Sequence, residues 1–202
     1  MKQNNFEKAL PEGYRVIKHI NAKSAKFGII MNLIAIGVLF VIMAICAIPV
    51  IIKGELLITE ITKTFWVPYI IFMLSMVVYI VLHEIVHGIA YKAMTGEKLT
   101  FGLSWSCAFC GVPNIYTYRK TALISVAAPL VVFTVILLPA TIALFYIDTV
   151  FYFVSAFLLG LHIGGCGGDI YCIYLLMKNR DKRLLMKDTG PEQTFYLPEN
   201  NK

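Results

Sequence analysis

One segment of the chain has the residue types and the spacing to hold a catalytic metal ion. Residues 83–87 have the pattern His-Glu-Ile-Val-His, and they directly follow the charge-free run 65–82. Residues four apart share one face of a helix, so His83 and His87 can bind one ion and Glu84 can reach a water held there. Ionisable side chains are costly in an apolar span, which makes a functional role the default interpretation. The segment predicts a zinc site with Glu84 as the catalytic base.

The elements that position this segment are apolar helices. Hydrophobic residues make up 58% of the chain and charged residues 15%, with a mean hydropathy of +0.74. A soluble domain carries about a quarter charged residues. We therefore predict an all-α membrane protein, a single integral membrane domain over 1–202 with four transmembrane helices. The runs long enough to cross a bilayer are 27–52, 65–91, 121–147 and 150–177.

The distribution of Lys and Arg predicts the orientation of these spans. Basic residues concentrate in 1–26, 92–120 and 178–202, whereas the connection between the first two spans holds only Lys53 and Lys63. Both termini and the 92–120 loop should therefore face the cytoplasm. The net charge of +6 then suits anionic lipid at the bilayer surface, and it predicts no nucleic-acid partner. The first run is too long for the core of a cleaved signal peptide, so we expect an uncleaved helix.

A third protein ligand must complete the zinc site. Outside the pentad, His162 and Asp169 are the ionisable residues within the spans. At about 1.5 Å per residue, Asp169 lies at the depth of His83, whereas His162 lies about two turns deeper. Depth therefore favours Asp169 as the third ligand. His162 is the less favoured ligand, with a hydrogen bond across helices or an oxyanion contact as its other roles. Glycines stand at 160, 164, 165, 167 and 168. We expect them to let a neighbouring helix approach Asp169.

The loop between the second and third spans carries two weaker signals. Its residues 101–118 alternate in polarity and include Gly111 and Pro113, which predicts a membrane-skimming hairpin. Cys107 and Cys110 form a lone CxxC in a loop that should be cytoplasmic and reduced. Without a second pair of ligands this motif is a weak metal signal, so packing is favoured over metal binding or redox chemistry.

These residues resemble the site-2-protease-like intramembrane zinc metalloproteases. In that group HExxH lies on one transmembrane helix, strands and a proline-containing helix follow, and an Asp on a later helix completes the site. The segments 118–121 and 127–130 are similar to the region after the strands. The chain departs from the group at Gly167-Gly168-Asp169-Ile170, where an Asp-Gly pair after an Asn-Pro-type segment is usual. The departure bears on substrate handling more than on metal binding.

A closer resemblance, over nearly the whole chain, is to a family of small bacterial membrane proteins described as putative zincin peptidases. The segments that carry it are 10–14, 83–88, 128–130, 167–170 and 188–190. The resemblance implies a zinc peptidase embedded in a membrane.

Two functions of different classes follow from these observations. The first is a zinc metalloendopeptidase of the cell membrane, which cuts a membrane-anchored peptide or protein near its cytoplasmic side. The second is a non-proteolytic membrane protein whose structural zinc site serves a regulator or partner-binding role. A metal transporter is disfavoured, because one concentrated site with a general base is not a permeation path. Replacing Glu84 separates the first two, since only a peptidase depends on it.

Overall fold

The structure is a computed structural model that describes residues 5–54, 66–104 and 107–199. Five helices contain most of these residues: α1 (Ala25–Lys53), α2 (Trp66–Thr95), α3 (Arg119–Phe145), α4 (Thr149–Gly165) and α5 (Gly167–Lys178). The strands are β1 (Phe6–Glu7), β2 (Tyr14–Asn21), β3 (Thr100–Leu103), β4 (Ala108–Gly111), β5 (Tyr116–Tyr118), β6 (Leu185–Asp188) and β7 (Glu192–Pro198).

The helices confirm three to four apolar spans. Within the described residues α1, α2 and α3 are each long and apolar enough to cross a membrane, and a fourth crossing exists if α4 and α5 count together. The prediction of one continuous fourth helix is wrong, because the helix breaks at Cys166. Two glycines stand on each side of that cysteine, and each glycine weakens a helix by about 1 kcal/mol relative to alanine. The break makes Asp169 a first-turn residue of α5.

The prediction of an all-α fold is wrong, because the polar segments outside the spans form two sheets. The larger sheet is antiparallel, with the strand order β1-β5-β6-β7-β2. Its strands come from the N-terminal segment, the stretch before α3 and the C-terminal tail. Backbone outside a helix must still pair its N–H and C=O groups, and the three segments do so with one another.

The second sheet is the hairpin of β3 and β4, which confirms a hairpin in this loop. Phe101 pairs with Cys110 and Gly102 with Phe109, while residues 105 and 106 lie outside the described residues. The hairpin was predicted to extend to residue 118, but the last strand of that range, β5, pairs with β1 and β6 of the larger sheet. A Cβ on Gly102 or on Gly190 would overlap the Phe109 ring. Gly102 therefore leaves room for the ring within the hairpin, and Gly190 lets the tail approach the hairpin.

The chain divides into two compact units. The first comprises Met1–Ile29, Leu82–Pro129 and Gly168–Lys202, and its core is built from residues of α2, α3, α5 and the larger sheet. The second comprises Ile30–Val81 and Leu130–Gly167. That these units form one integral membrane domain stays a prediction.

Inside the second unit, α4 packs closely on α1. A Cβ on Gly160 would come within 2.6 Å of Leu39, and one on Gly164 within 2.7 Å of the Ala35 carbonyl oxygen. Glycine is required at both positions for this approach.

Candidate metal centre

The two histidines of the HExxH segment lie one turn apart on α2 and turn their rings toward the same point. Their ring centroids are 5.0 Å apart, and His87 is only 7% exposed. Residues four apart point to the same side of a helix, so α2 itself holds the two rings at this spacing.

Asp169 lies against both rings. Its Oδ2 is 3.2 Å from His83 Nε2, and its Oδ1 is 3.5 Å from His87 Nε2. The carboxylate occupies the first turn of α5, where the unpaired N–H groups of a helix favour negative charge. The structure thus brings together His83, His87 and Asp169, all three of which belong to the first unit.

A hydrogen bond at His87 Nδ1 determines where the proton of the neutral ring lies. It therefore determines that the other nitrogen presents a lone pair to the carboxylate. His87 Nδ1 lies 2.9 Å from the backbone oxygen of Ser125. A carbonyl oxygen only accepts hydrogen bonds, so Nδ1 carries the proton, and Nε2 of the neutral ring is an acceptor. An acceptor nitrogen facing a carboxylate oxygen is unfavourable unless a cation lies between them. The arrangement therefore calls for a proton or a metal ion at this point.

The distances fit a zinc ion. Zinc bonds to nitrogen and oxygen are about 2.0–2.2 Å long, so two ligand atoms on a tetrahedral ion are about 3.3 Å apart. The two histidine-to-aspartate distances bracket that value. The three ligand atoms all lie within 4.8 Å of one another. Three protein ligands are the usual set of a catalytic zinc site, which keeps a further position for water or substrate. That His83, His87 and Asp169 bind zinc stays a prediction.

Glu84 is placed beside this cluster by the helix itself, directly after His83. It is half-buried, and within the described residues its carboxylate has no hydrogen-bond or ion-pair partner. A base that must take a proton from water should not already be paired with a cation. The placement therefore fits the predicted role of Glu84, which stays a prediction.

His162 lies in the second unit, and both of its ring nitrogens have hydroxyl partners. Tyr79 Oη is 2.9 Å from Nδ1 and Thr134 Oγ1 is 3.0 Å from Nε2, and the residue is fully buried. This arrangement favours the hydrogen-bonding role for His162. The glycines also act differently from the prediction, since Gly160 and Gly164 serve packing on α1 and a Cβ on Gly168 would meet nothing within 4 Å.

We did not predict a role for Asp188, a buried carboxylate of the first unit, from the sequence. It is 4% exposed and accepts hydrogen bonds from Tyr91 Oη at 2.7 Å and from the Gly190 N–H at 2.9 Å. Its backbone oxygen accepts from the Val112 N–H. Asp188 therefore ties the HExxH helix to the tail and to the end of the hairpin. Its signal in the sequence was the segment 188–190 of the family resemblance.

The CxxC motif lies on β4 and just before it. Cys110 is buried, and burial together with the nearby Glu84 and Asp188 carboxylates raises the pKa of its thiol to about 12. Metal binding and redox attack both need the thiolate, which this environment disfavours. The structure therefore favours a packing role for Cys110.

Two histidines one turn apart with a nearby carboxylate are donor types that catalytic zinc sites use. The family model described as "Putative zincin peptidase" matches residues 76–184, more than half of the chain and the part that contains this cluster. The chain belongs to that family. Comparisons with the curated proteins and with the solved structures gave no match.

Proposed function

We propose that the protein is a membrane-embedded zinc metallopeptidase that hydrolyses a peptide bond of a membrane-anchored substrate near its cytoplasmic side. The observation that carries the proposal is the convergence of His83, His87 and Asp169 beside an unpaired Glu84. Family membership supports the peptidase class, and three to four apolar helices support the membrane location.

Each residue of the centre has one task in this chemistry. His83, His87 and Asp169 would hold a zinc ion, which would supply Lewis acidity for the scissile carbonyl and for the attacking water. Glu84 accepts a proton from the attacking water and later passes it to the leaving amine. The Ser125 carbonyl keeps the His87 ring in the orientation that leaves Nε2 for the metal.

The cytoplasmic placement rests on charge. Lys and Arg concentrate in both terminal segments and in the 92–120 loop, and the HExxH turns lie near the end of α2 that leads into that loop. Hydrolysis also needs water, which is plentiful only near a membrane surface. The centre is then reached from the cytoplasmic side.

The β3–β4 hairpin offers a way to hold the substrate. A Cβ on Gly88, the residue after His87, would lie 2.7 Å from the Phe101 ring, so the hairpin packs directly on the HExxH turns. Within the described residues β3 pairs only with β4, and Phe101 and Leu103 are 51% and 82% exposed. A substrate segment that unwinds could add to the free edge of β3 and present an extended peptide bond.

Metal content and activity together test the chemistry. Purified wild-type protein, Glu84→Gln and His87→Ala should be compared for zinc by elemental analysis. The wild type and Glu84→Gln should hold one zinc per chain, and His87→Ala should lose it. Stoichiometric zinc in His87→Ala would contradict the centre.

Substrate cleavage is tested in cells that make either the wild type or Glu84→Gln. Mass spectrometry of protein termini in the membrane fraction should show new termini near the cytoplasmic ends of membrane segments, in the wild type alone. Identical termini in the two strains, with zinc present in both proteins, would favour the structural zinc site of a regulator. Cuts confined to the external side would contradict the placement.

A further inference from the structure

A proline stands inside α3 next to the candidate metal centre. In an α-helix each carbonyl accepts from the N–H of the residue four positions later. Pro129 has no N–H, so the carbonyl of Ser125 has no donor from its own helix at that position. Prolines are tolerated in membrane helices when a neighbouring group takes over the freed backbone atom.

The neighbouring group is the imidazole of His87. Its Nδ1 is 2.9 Å from the Ser125 oxygen, and both residues are buried. A buried carbonyl is costly without a donor, and a metal-binding histidine needs a fixed acceptor for its second nitrogen. Each requirement is met by the other residue.

We propose that Pro129 is a positioning residue for the metal centre: by removing one N–H from α3 it reserves the Ser125 carbonyl for His87 and so selects the ring orientation and tautomer that present Nε2 to the metal. This inference rests on the proposed function and deepens it. Pro129 itself touches neither substrate nor metal in this role.

The substitution Pro129→Ala would restore the missing donor. The new backbone N–H would compete for the Ser125 oxygen, and the hydrogen bond that holds His87 would weaken. The ring could then turn, and part of the population would carry its proton on Nε2, where it blocks the metal. Removal of a metal ligand's outer hydrogen-bond partner typically weakens metal binding by about 10- to 100-fold. Alanine also favours helix over proline, so the metal-free protein should become more stable.

A second proline of α3 provides the matched control. Pro139 also removes an N–H from the helix, and the corresponding carbonyl belongs to Val135, whose side chain is 67% exposed. Pro139→Ala should leave zinc affinity within about threefold of wild type, well inside the range expected for a lost outer partner.

The experiment compares wild type, Pro129→Ala and Pro139→Ala in detergent, with zinc affinity measured by competition against a chromogenic chelator. We expect about 10- to 100-fold weaker zinc binding in Pro129→Ala alone, together with a melting temperature of the metal-free protein at or above wild type. Nitrogen-15 spectra of the zinc-bound protein should show a hydrogen-bonded His87 Nδ1–H in the wild type and a weakened Nδ1–H hydrogen bond in Pro129→Ala.

Three results would overturn the inference. Wild-type zinc affinity in Pro129→Ala would show that the freed carbonyl is unimportant, while leaving the zinc site intact. Equal losses in both proline variants would reduce the effect to helix shape. A loss in Ser125→Ala without one in Pro129→Ala would assign the effect to the serine hydroxyl, which is buried and has no hydrogen-bond partner within the described residues. A wild type that binds no zinc would contradict the proposed function itself.

Discussion

The two aspartates that contact α2 in the first unit, Asp169 and Asp188, have opposite surroundings. Asp169 faces the Nε2 atoms of His83 and His87, at least one of which is an acceptor. Asp188 faces the Tyr91 hydroxyl and the Gly190 N–H, both of which donate to it. One carboxylate faces an imidazole nitrogen that needs a proton or a metal ion between the two, and the other accepts hydrogen bonds from neutral donors.

This difference separates a candidate binding site from a structural joint. The lone pair of His87 Nε2 and the Asp169 carboxylate repel each other unless a proton or a metal ion lies between them, so this pair calls for a cation. Hydrogen bonds from neutral donors already satisfy Asp188, which connects three parts of the chain without any ligand. Burial alone would not have distinguished them, because both side chains are largely covered.

The strongest test of the comparison is zinc affinity. Asp169→Ala should weaken zinc binding by more than about 100-fold, beyond the loss expected for an outer partner, because it removes one of three ligands. Asp188→Asn and His162→Ala should keep most of the affinity. Competition with a chelator measures all three variants. A greater loss in His162→Ala than in Asp169→Ala would reverse the assignment of the third ligand.

The next test uses pH. Burial raises the pKa of the Asp188 carboxyl to about 6, against about 3.9 in an unfolded chain. The folded protein therefore binds this proton more tightly, and the resulting stability is present below about pH 4 and lost as pH rises through 6. From pH 4 to pH 7.5, wild type should lose roughly 2 kcal/mol relative to Asp188→Asn, which cannot titrate.

Denaturation of both proteins across this pH range measures that difference, and the other carboxylates cancel between them. Parallel curves for wild type and Asp188→Asn would show that Asp188 is already ionised at low pH. A reversed slope would mean that its donors outweigh its burial.

A smaller effect is expected from removing the joint. Asp188→Ala leaves the Tyr91 hydroxyl and the Gly190 N–H without their acceptor and should lower the free energy of unfolding by about 1–2 kcal/mol at pH 5. Asp188→Asn keeps one acceptor and serves as the control with a smaller loss. Zinc stoichiometry should be unchanged in both, and zinc loss in either would bring Asp188 into the metal centre.

The smallest effect concerns the outermost donor to this joint. Gln193 Nε2 is 3.5 Å from Asp188 Oδ1, a long contact, and 2.8 Å from the Gly190 oxygen. Gln193→Ala should cost less than about 1 kcal/mol of unfolding free energy, because Tyr91 and Gly190 still satisfy the carboxylate. A loss as large as that of Asp188→Ala would make the glutamine an essential part of the joint.

Local patterns in the sequence predicted much of this arrangement. The charge-poor runs indicated the helices, because about 20 apolar residues match the thickness of a bilayer as a helix, and a helix pairs its own backbone groups in lipid. The spacing of His83 and His87 placed them on one face, because the helix period fixes the directions of residues four apart. The alternation of polarity in the 101–118 loop predicted a hairpin, because successive side chains of a strand point to opposite faces.

The errors concern interactions between distant segments. Strands β1, β2, β6 and β7 lie at opposite ends of the chain, and no local period reveals that such segments pair. Four glycines flank the helix break at Cys166. Their weak helix propensity is hidden when a span is recognised only by its lack of charged residues. We predicted the depths of Asp169 and His162 along one continuous fourth helix, although Asp169 belongs to α5 and His162 to α4.

The sequence by itself determined the spans, the pair of histidines and the glutamate beside them, since each depends on contacts within one helix. Tertiary structure decided what each buried polar group faces: Asp169 two histidines, Asp188 a tyrosine, and the Ser125 carbonyl an imidazole. These contacts join residues far apart in the chain. Their strength depends on burial and on the match of donors to acceptors, and both are properties of the folded protein.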